Sequence, residues 1–307
     1  MQGPLSSLID PADLRHLSRR SNTIGLLWLA AHLTLIAACG AVVVVLRPHH
    51  PWASVPAMAA LGIALIALFT PLHETTHRTP FRSLRLNHAV GWLTGLVLVL
   101  PPAGFRLFHL AHHRHTQDPL LDPEIAGAAP PTRGRYLWLL TGLPYWRCQI
   151  ALLFRTAAGR VTEPWIPAAN RPEIVLQSRI FLAAYGAVAL LAVLTRSAWP
   201  VWLYVVPVLF GQPVLRMVLM AEHGSLPRVP DRLVNTRTTL TGRLFSALFW
   251  HANLHAEHHL APGVPFHALP RLHHRLRSRL GAVSDGYRAA HADIRAANRK
   301  VKFRTLI

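Results

Sequence analysis

Apolar and polar positions along the chain separate into long uncharged runs and short gaps rich in histidine and arginine. Residues 23–46 (TIGLLWLAAHLTLIAACGAVVVVL) carry no formal charge and are long enough to cross a hydrocarbon core of roughly 30 Å as one helix. The tight turn RPHHP follows, and residues 52–72 form a second run that ends at HETTH. So short a turn predicts an antiparallel hairpin, which returns His73 to the side where the chain entered. Residues 89–102 (AVGWLTGLVLVLPP) are too short for a span and stop at two prolines, predicting a re-entrant or interfacial helix. Residues 135–155 mix Trp, Tyr and Arg with aliphatic residues, as suits a helix in the headgroup region. Runs at 180–194 and 201–220, separated by TRSAWP, predict a second hairpin. From Arg271 onward the chain is basic and helix-permissive, and reads as a solvated or lipid-facing surface. The predicted class is an all-α integral membrane protein: four transmembrane helices in two hairpins, a cytoplasmic helical cap and interfacial helices. Residues 1–22 form a basic cytoplasmic segment, 23–270 the membrane domain and 271–307 a basic cytoplasmic or interfacial tail.

Composition agrees with one membrane domain, since 51% of the 307 residues are hydrophobic. Lys and Arg number 32 against 13 Asp and Glu. With apolar runs beside it, this charge points to a membrane surface and acidic partners instead of nucleic acid. Arg15, Arg19, Arg20, Arg78, Arg82 and Arg85 fall on one side of the first hairpin and Arg47 on the other. The positive-inside rule makes the arginine-rich side, with both termini, cytoplasmic, as expected for a bacterial inner membrane. SRRSNT precedes a run too long for a signal-peptide core, so the first span reads as a retained anchor. Two cysteines, Cys39 and Cys148, leave no disulfide framework and no CxxC pair.

The 20 histidines supply the chemistry. HETTH fits the zinc-protease spacing HExxH, in which two imidazoles bind the metal and the glutamate is the general base. Two further clusters follow. HLAHH places His109, His112 and His113 at i, i+3 and i+4, and HAEHH repeats that spacing with His255, His258 and His259. His223 follows the last span. With His73 and His77 this makes nine imidazoles on one predicted side, too many for a mononuclear zinc site of three protein ligands and enough for two metals. Imidazole suits zinc, copper, iron and nickel alike, so ligand type alone does not choose the metal. A single HxxHH would carry little weight; its recurrence on one side of the topology carries more.

HETTH, HLAHH and HAEHH, in this order, resemble the three histidine boxes of the membrane-bound fatty-acid desaturase and hydroxylase superfamily, over about residues 60 to 275. The stretch NLHAEHHLAPGVPFHALPRLH is especially similar to the third box of bacterial members. The resemblance implies a non-haem di-iron centre that uses O2 and two electrons on an unactivated C–H bond of a lipid, most simply in fatty-acyl desaturation. It implies the iron ligands His73, His77, His109, His112, His113, His223, His255, His258 and His259. Some relatives carry an asparagine one turn before the residue matching His223, where this chain has Leu219. Glu74 and Glu257 would then orient ligand imidazoles, a task open also to Asp118, Asp122, Glu124 and Glu222. Electrons would come from a ferredoxin, a rubredoxin or a b-type cytochrome, and the substrate from membrane lipid, coenzyme A or an acyl carrier protein.

Hydroxylation of a lipid and hydroxylation or ketolation of a carotenoid are the nearest rivals, for the boxes do not separate these outcomes. An intramembrane zinc protease would use HETTH and leave the other clusters idle, and a metal store would not need helical spacing. His115 and His251 lie beside the boxes but outside the pattern. His32 is expected to hydrogen-bond between spans, and Arg216 to snorkel to the interface, with contact to an acidic substrate head group as the alternative. His49, His50, His273, His274 and His291 read as surface residues.

Overall fold

The computed structural model describes residues 7–125 and 132–304; the first six residues of the N-terminal segment and the last three of the tail lie outside them. In chain order the helices are α1 (Pro11–Leu17), α2 (Asn22–Leu46), α3 (Ser54–Ala67), α4 (Phe69–His77), α5 (Leu84–Leu98), α6 (Pro102–His115), α7 (Arg133–Leu140), α8 (Leu143–Ala157), α9 (Arg171–Leu194), α10 (Val206–His223) and α11 (Arg232–Asn235). Strand β1 (Thr238–Leu240), α12 (Arg243–Leu248), α13 (His255–Leu260), α14 (Leu269–Leu276), β2 (Val283–Asp285) and α15 (Gly286–Arg304) complete the chain.

The class expected from the apolar runs is the one observed. Four helical stretches are long and apolar enough to cross a membrane: Asn22–Leu46, Ser54–His77, Ala168–Leu194 and Val201–His223. Ser21 caps α2, its hydroxyl accepting from the Ile24 amide at 3.3 Å. The helix then exposes Leu26, Leu27, Leu33, Leu35 and Val45, side chains that face lipid in a membrane protein. The second stretch is α3 running into α4, so the first box sits on the end of a spanning helix rather than after it.

α3 and α10 form the centre of the bundle, burying Leu61, Leu65, Ile66, Val208, Leu215 and Val218. α2 packs on α3, while α9 lies chiefly against α8 and α6. Between α5 and α6 the chain bends by 96°. Val99 takes a left-handed conformation (φ 58°) to end α5, and Pro102 starts α6 where a missing amide hydrogen costs nothing. So sharp a bend fits a broken span as well as a re-entrant loop, and the helix after it carries the second box.

Two segments differ from the sequence reading. The stretch 135–155, expected to lie in the headgroup region as one helix, is two helices, because Gly142 adopts φ 72° between α7 and α8, and a side chain there would collide with Gln212. The tail is not solvated or lipid-facing throughout, for one stripe of it is buried. Leu269, Leu272 and Leu276 of α14 are buried in a second core with Leu254 and Val264, and Ala290, His291 and Ile294 of α15 are buried as that helix packs on α10. Spacing of three and four apolar residues within a highly charged sequence marks an amphipathic helix, and the charge obscured it. The β1–β2 parallel pair joins this cap to the third box, with Thr238 opposite Val283.

Candidate metal centre

The nine histidines come from four helices and converge. One nitrogen from each of His73, His77, His109, His113 and His258 lies within 4.8 Å of the others, and a second group is formed in the same way by His112, His223, His255 and His259. Helix geometry explains how HxxHH feeds both groups. At about 100° per residue, positions i and i+4 stay within roughly 40° of one another while i+3 falls about 60° to the other side. His109 and His113 therefore face the first group and His112 the second; on α13, His255 and His259 face the second and His258 the first.

In both groups it is the Nε2 atoms that meet. His77 and His109 approach to 2.8 Å and His258 and His113 to 3.2 Å. His112 and His255 each lie 3.2 Å from His223. The Nε2 atoms of His73 and His259 are buried without a hydrogen-bond partner among the described residues. Every ring but the half-buried His77 is buried. Burial and the neighbouring imidazoles hold His255, His258 and His259 well below the usual histidine range, so these rings are neutral and present lone pairs.

Convergent lone pairs repel unless a proton or a metal cation lies between them, and an all-imidazole donor set suits a first-row transition metal. Residues and group fit: the two orphaned, buried Nε2 atoms are donor sites for which a bound cation is the natural partner.

Several of the opposite ring nitrogens are held from outside, while Nδ1 of His113 and of His258 is buried without a hydrogen-bond partner among the described residues. His112 Nδ1 lies 2.9 Å from Asp122 and 3.1 Å from Glu124. Asp122 is fixed in turn by the Gln117 and Glu124 amides at 2.8 and 3.0 Å. Burial alone would raise its carboxyl, but these bonds and the one to His112 hold it below the usual range. His223 Nδ1 donates to the Asn235 carbonyl at 3.1 Å, and His259 Nδ1 lies 3.2 Å from the Thr116 hydroxyl. Glu222 faces His255 Nδ1 at 3.5 Å. Arg232 bonds the carbonyls of His113 and His259, tying the ends of α6 and α13 together with a cation.

Glu74 lies between the boxes, with Oε1 at 3.7 Å from His73 Nδ1 and 3.9 Å from His258 Nδ1. Its Oε2 accepts from the Thr79 hydroxyl at 2.8 Å and the Phe266 amide at 3.1 Å. Glu257 is fully buried but turns away from the clustered rings, accepting from Thr238 at 2.5 Å and pairing with His273. His273 is therefore a buried carboxylate's partner and not an idle surface residue. His291, also read as a surface residue, is buried and bonds the Tyr136 hydroxyl and the Met217 carbonyl, both at 2.8 Å.

Of the remaining residues singled out, His32 bonds the Ala64 carbonyl at 2.8 Å, the expected interhelical bond. His251 bonds Ser246 at 2.8 Å and contacts Trp28 edge-on. His115 and His251 belong to neither cluster, and Asp118 caps its own turn through Leu120 and Leu121. Thr79, Thr116, Asn235 and Thr238 escaped the sequence reading, for a lone Thr or Asn carries no spacing signal.

A cavity of about 410 Å³ opens beside both groups. Phe69, Phe105, Phe108, Leu152, Trp165 and Ile174 supply its apolar wall, while His73, His109, His112 and His255 bring the metal-site rings to its surface. Arg216, expected to snorkel, also lines it and stacks on Tyr145 with its guanidinium carbon 4.2 Å from the ring centre.

Residues 49–291 match the family described as fatty acid desaturase. The chain is 24% identical over 259 residues to the sn-1 oleoyl-lipid 12-desaturase of Picosynechococcus sp., covering 75% of this chain and 71% of the relative. It is 25% identical to the dihydrorhizobitoxine desaturase of Bradyrhizobium elkanii (81% of this chain, 74% of the relative). It is also 25% identical to the sn-1 acyl-lipid omega-3 desaturase (ferredoxin) of Nostoc sp. (68% and 63%). With the boxes converged and the match spanning most of its length, this chain belongs to the fatty acid desaturase family.

Proposed function

We propose that the protein oxidises an unactivated C–H bond of a lipid with O2, most simply as a fatty-acyl desaturase, at two iron ions held by the nine histidines. The observation that carries this reading is the sorting of nine imidazoles, all buried but the half-buried His77, into groups of five and four beside one apolar cavity. When bound, iron in such a donor set supplies the O2-dependent oxidising power that C–H cleavage requires and that redox-inactive zinc lacks.

The chain's own residues do the rest. His73, His77, His109, His113 and His258 would hold one ion and His112, His223, His255 and His259 the other. Asp122, Glu124 and Glu222 orient rings from behind, which fixes the tautomer and raises ligand basicity. Phe69, Phe105 and Leu152 exclude water from the chain carbons presented to the site. Glu257 acts at one remove, anchoring α13 through Thr238 and His273. Electrons come from an external carrier docking on the basic, cytoplasmic face. One relative's name specifies a ferredoxin, which favours that carrier over a rubredoxin or a b-type cytochrome.

Hydroxylation or ketolation is the second reading, favoured by a 26% identical relative named as a zeaxanthin 4-ketolase in Chlamydomonas reinhardtii. The zinc-protease reading of HETTH loses its base: Glu74 Oε2 is engaged by Thr79 and Phe266, and Oε1 faces two imidazoles. Lipid profiling of a host with and without the chain tests the proposal, with His112→Ala as control. Loss of two hydrogens marks desaturation and gain of one oxygen marks hydroxylation. A new product that survives in the His112→Ala control contradicts the ligand assignment.

A further inference from the structure

Arg216 is the one guanidinium among the residues lining the cavity, and nothing described so far uses it. Its Nε is shut off from solvent and bonds to no acceptor among the described residues. Two carboxylates lie near enough to act on it electrostatically, Glu124 and Glu222. Both are turned toward rings of the metal site instead, Glu124 to His112 at 3.1 Å and Glu222 to His255 at 3.5 Å. Glu163, the other carboxylate on the cavity wall, is paired with Arg155. Arg216 is left with the face of Tyr145, which attracts the cation but accepts no in-plane hydrogen bond. A guanidinium carries five N–H donors in a fork that matches a carboxylate, and leaving the buried Nε donor unmade is costly.

We propose that Arg216 is a substrate-binding residue that anchors the carboxylate of a fatty-acid substrate lying inside the cavity, so that the enzyme takes a free carboxylic acid and not an esterified lipid. The inference rests on the reading of the cavity as the oxidase's substrate site and adds the substrate class. Two turns of α10, roughly 10 Å, separate Arg216 from His223. A carboxylate bound at Arg216 therefore presents carbons several bonds along the chain to the histidines. An ester retains an oxygen acceptor but no charge, and a coenzyme A or carrier-protein thioester would also have to fit its bulk beside Tyr145 and Gln149.

The test measures binding of saturated carboxylates, hexanoate to hexadecanoate, and of their methyl esters to the metal-loaded protein in detergent. Wild type is expected to bind the best carboxylate about tenfold or more tightly than its ester. Arg216→Gln should erase the difference and Arg216→Lys should restore part of it, each at wild-type metal content. Equal affinities for acid and ester, no binding of any acid in the series, or a preference that persists in Arg216→Gln would overturn the proposal. Because binding needs no turnover, the two readings can fail separately. Acid preference without an oxidised product would count against the oxidase alone, and a product without acid preference against the role of Arg216 alone.

Discussion

Gly211 of α10 packs so closely on Gly62 of α3 that a methyl group built on it would sit 2.1 Å from the Gly62 carbonyl oxygen; one built on Gly62 would sit 1.8 Å from the Pro207 carbonyl oxygen. Both helices run toward the histidines, and about three turns carry each from its glycine to His73 or His223. The crossing sets the two helices at a common height, so that rings from separate spans meet. Small residues at such crossings let backbones approach where lipid offers no hydrophobic drive.

Gly211→Ala is expected to destabilise the folded protein by about 1–3 kcal/mol and to reduce bound metal, because the atoms it meets are backbone and cannot rotate aside. Thermal unfolding in detergent with metal analysis measures both. A wild-type melting temperature and metal content would remove the crossing from the account.

Asp122→Asn should lower metal affinity by about 10- to 100-fold, since it weakens the support at His112 Nδ1 while leaving the rings in place. Chelator competition reads the affinity. The exposed Asp13–Arg275 pair provides the contrast: Asp13→Asn should change stability by less than about 1 kcal/mol and leave metal affinity alone. Equal effects from the two substitutions would show that Asp122 is an ordinary ion-pair partner.

Acidification should destabilise the metal-free protein. Burial and neighbouring imidazoles depress His255, His258 and His259 in the fold, so below about 6.5, the ordinary histidine value, the unfolded chain binds more protons than the folded one. Stability contributed by these neutral rings is present above that value and falls as pH drops below it. Metal-free melting temperatures measured from pH 8 to pH 5 should decline across the lower half of that range, and a flat profile there would argue against neutral, buried rings.

His273→Ala should cost about 1–3 kcal/mol, because it strips the buried Glu257 carboxylate of one of its two partners. Glu257→Gln in the same background should recover part of the loss, as it removes the stranded charge. If the single substitution is neutral, Glu257 does not depend on His273.

Much of this was legible in the chain. Long uncharged runs announce spans because the bilayer admits few alternatives, and the i, i+3, i+4 histidines are local patterns that survive whatever surrounds them. The assignment of rings to two groups also follows from helical angles, once α6 and α13 are known to face one another. What escaped notice depends on contacts distant in sequence. Leu269, Leu272 and Leu276 are hidden among arginines and histidines, and only the cap they pack into reveals them as core. The depth of Arg216 along its own helix leaves snorkelling and contact with an acidic head group both open; the cavity formed with α6, α8 and α9 puts it on a shared wall. Thr116 contributes a hydrogen bond to a ring 143 residues away and Asn235 one to a ring beyond the end of its own helix, relations no spacing encodes.

The most direct test of the central claim is metal analysis of the purified protein together with its His112→Ala and His258→Ala variants, which remove one nitrogen from each group. About two irons per wild-type chain, with less iron in each variant, is the result expected from two separate imidazole groups. A single zinc per chain, or iron content unchanged in both variants, would contradict it.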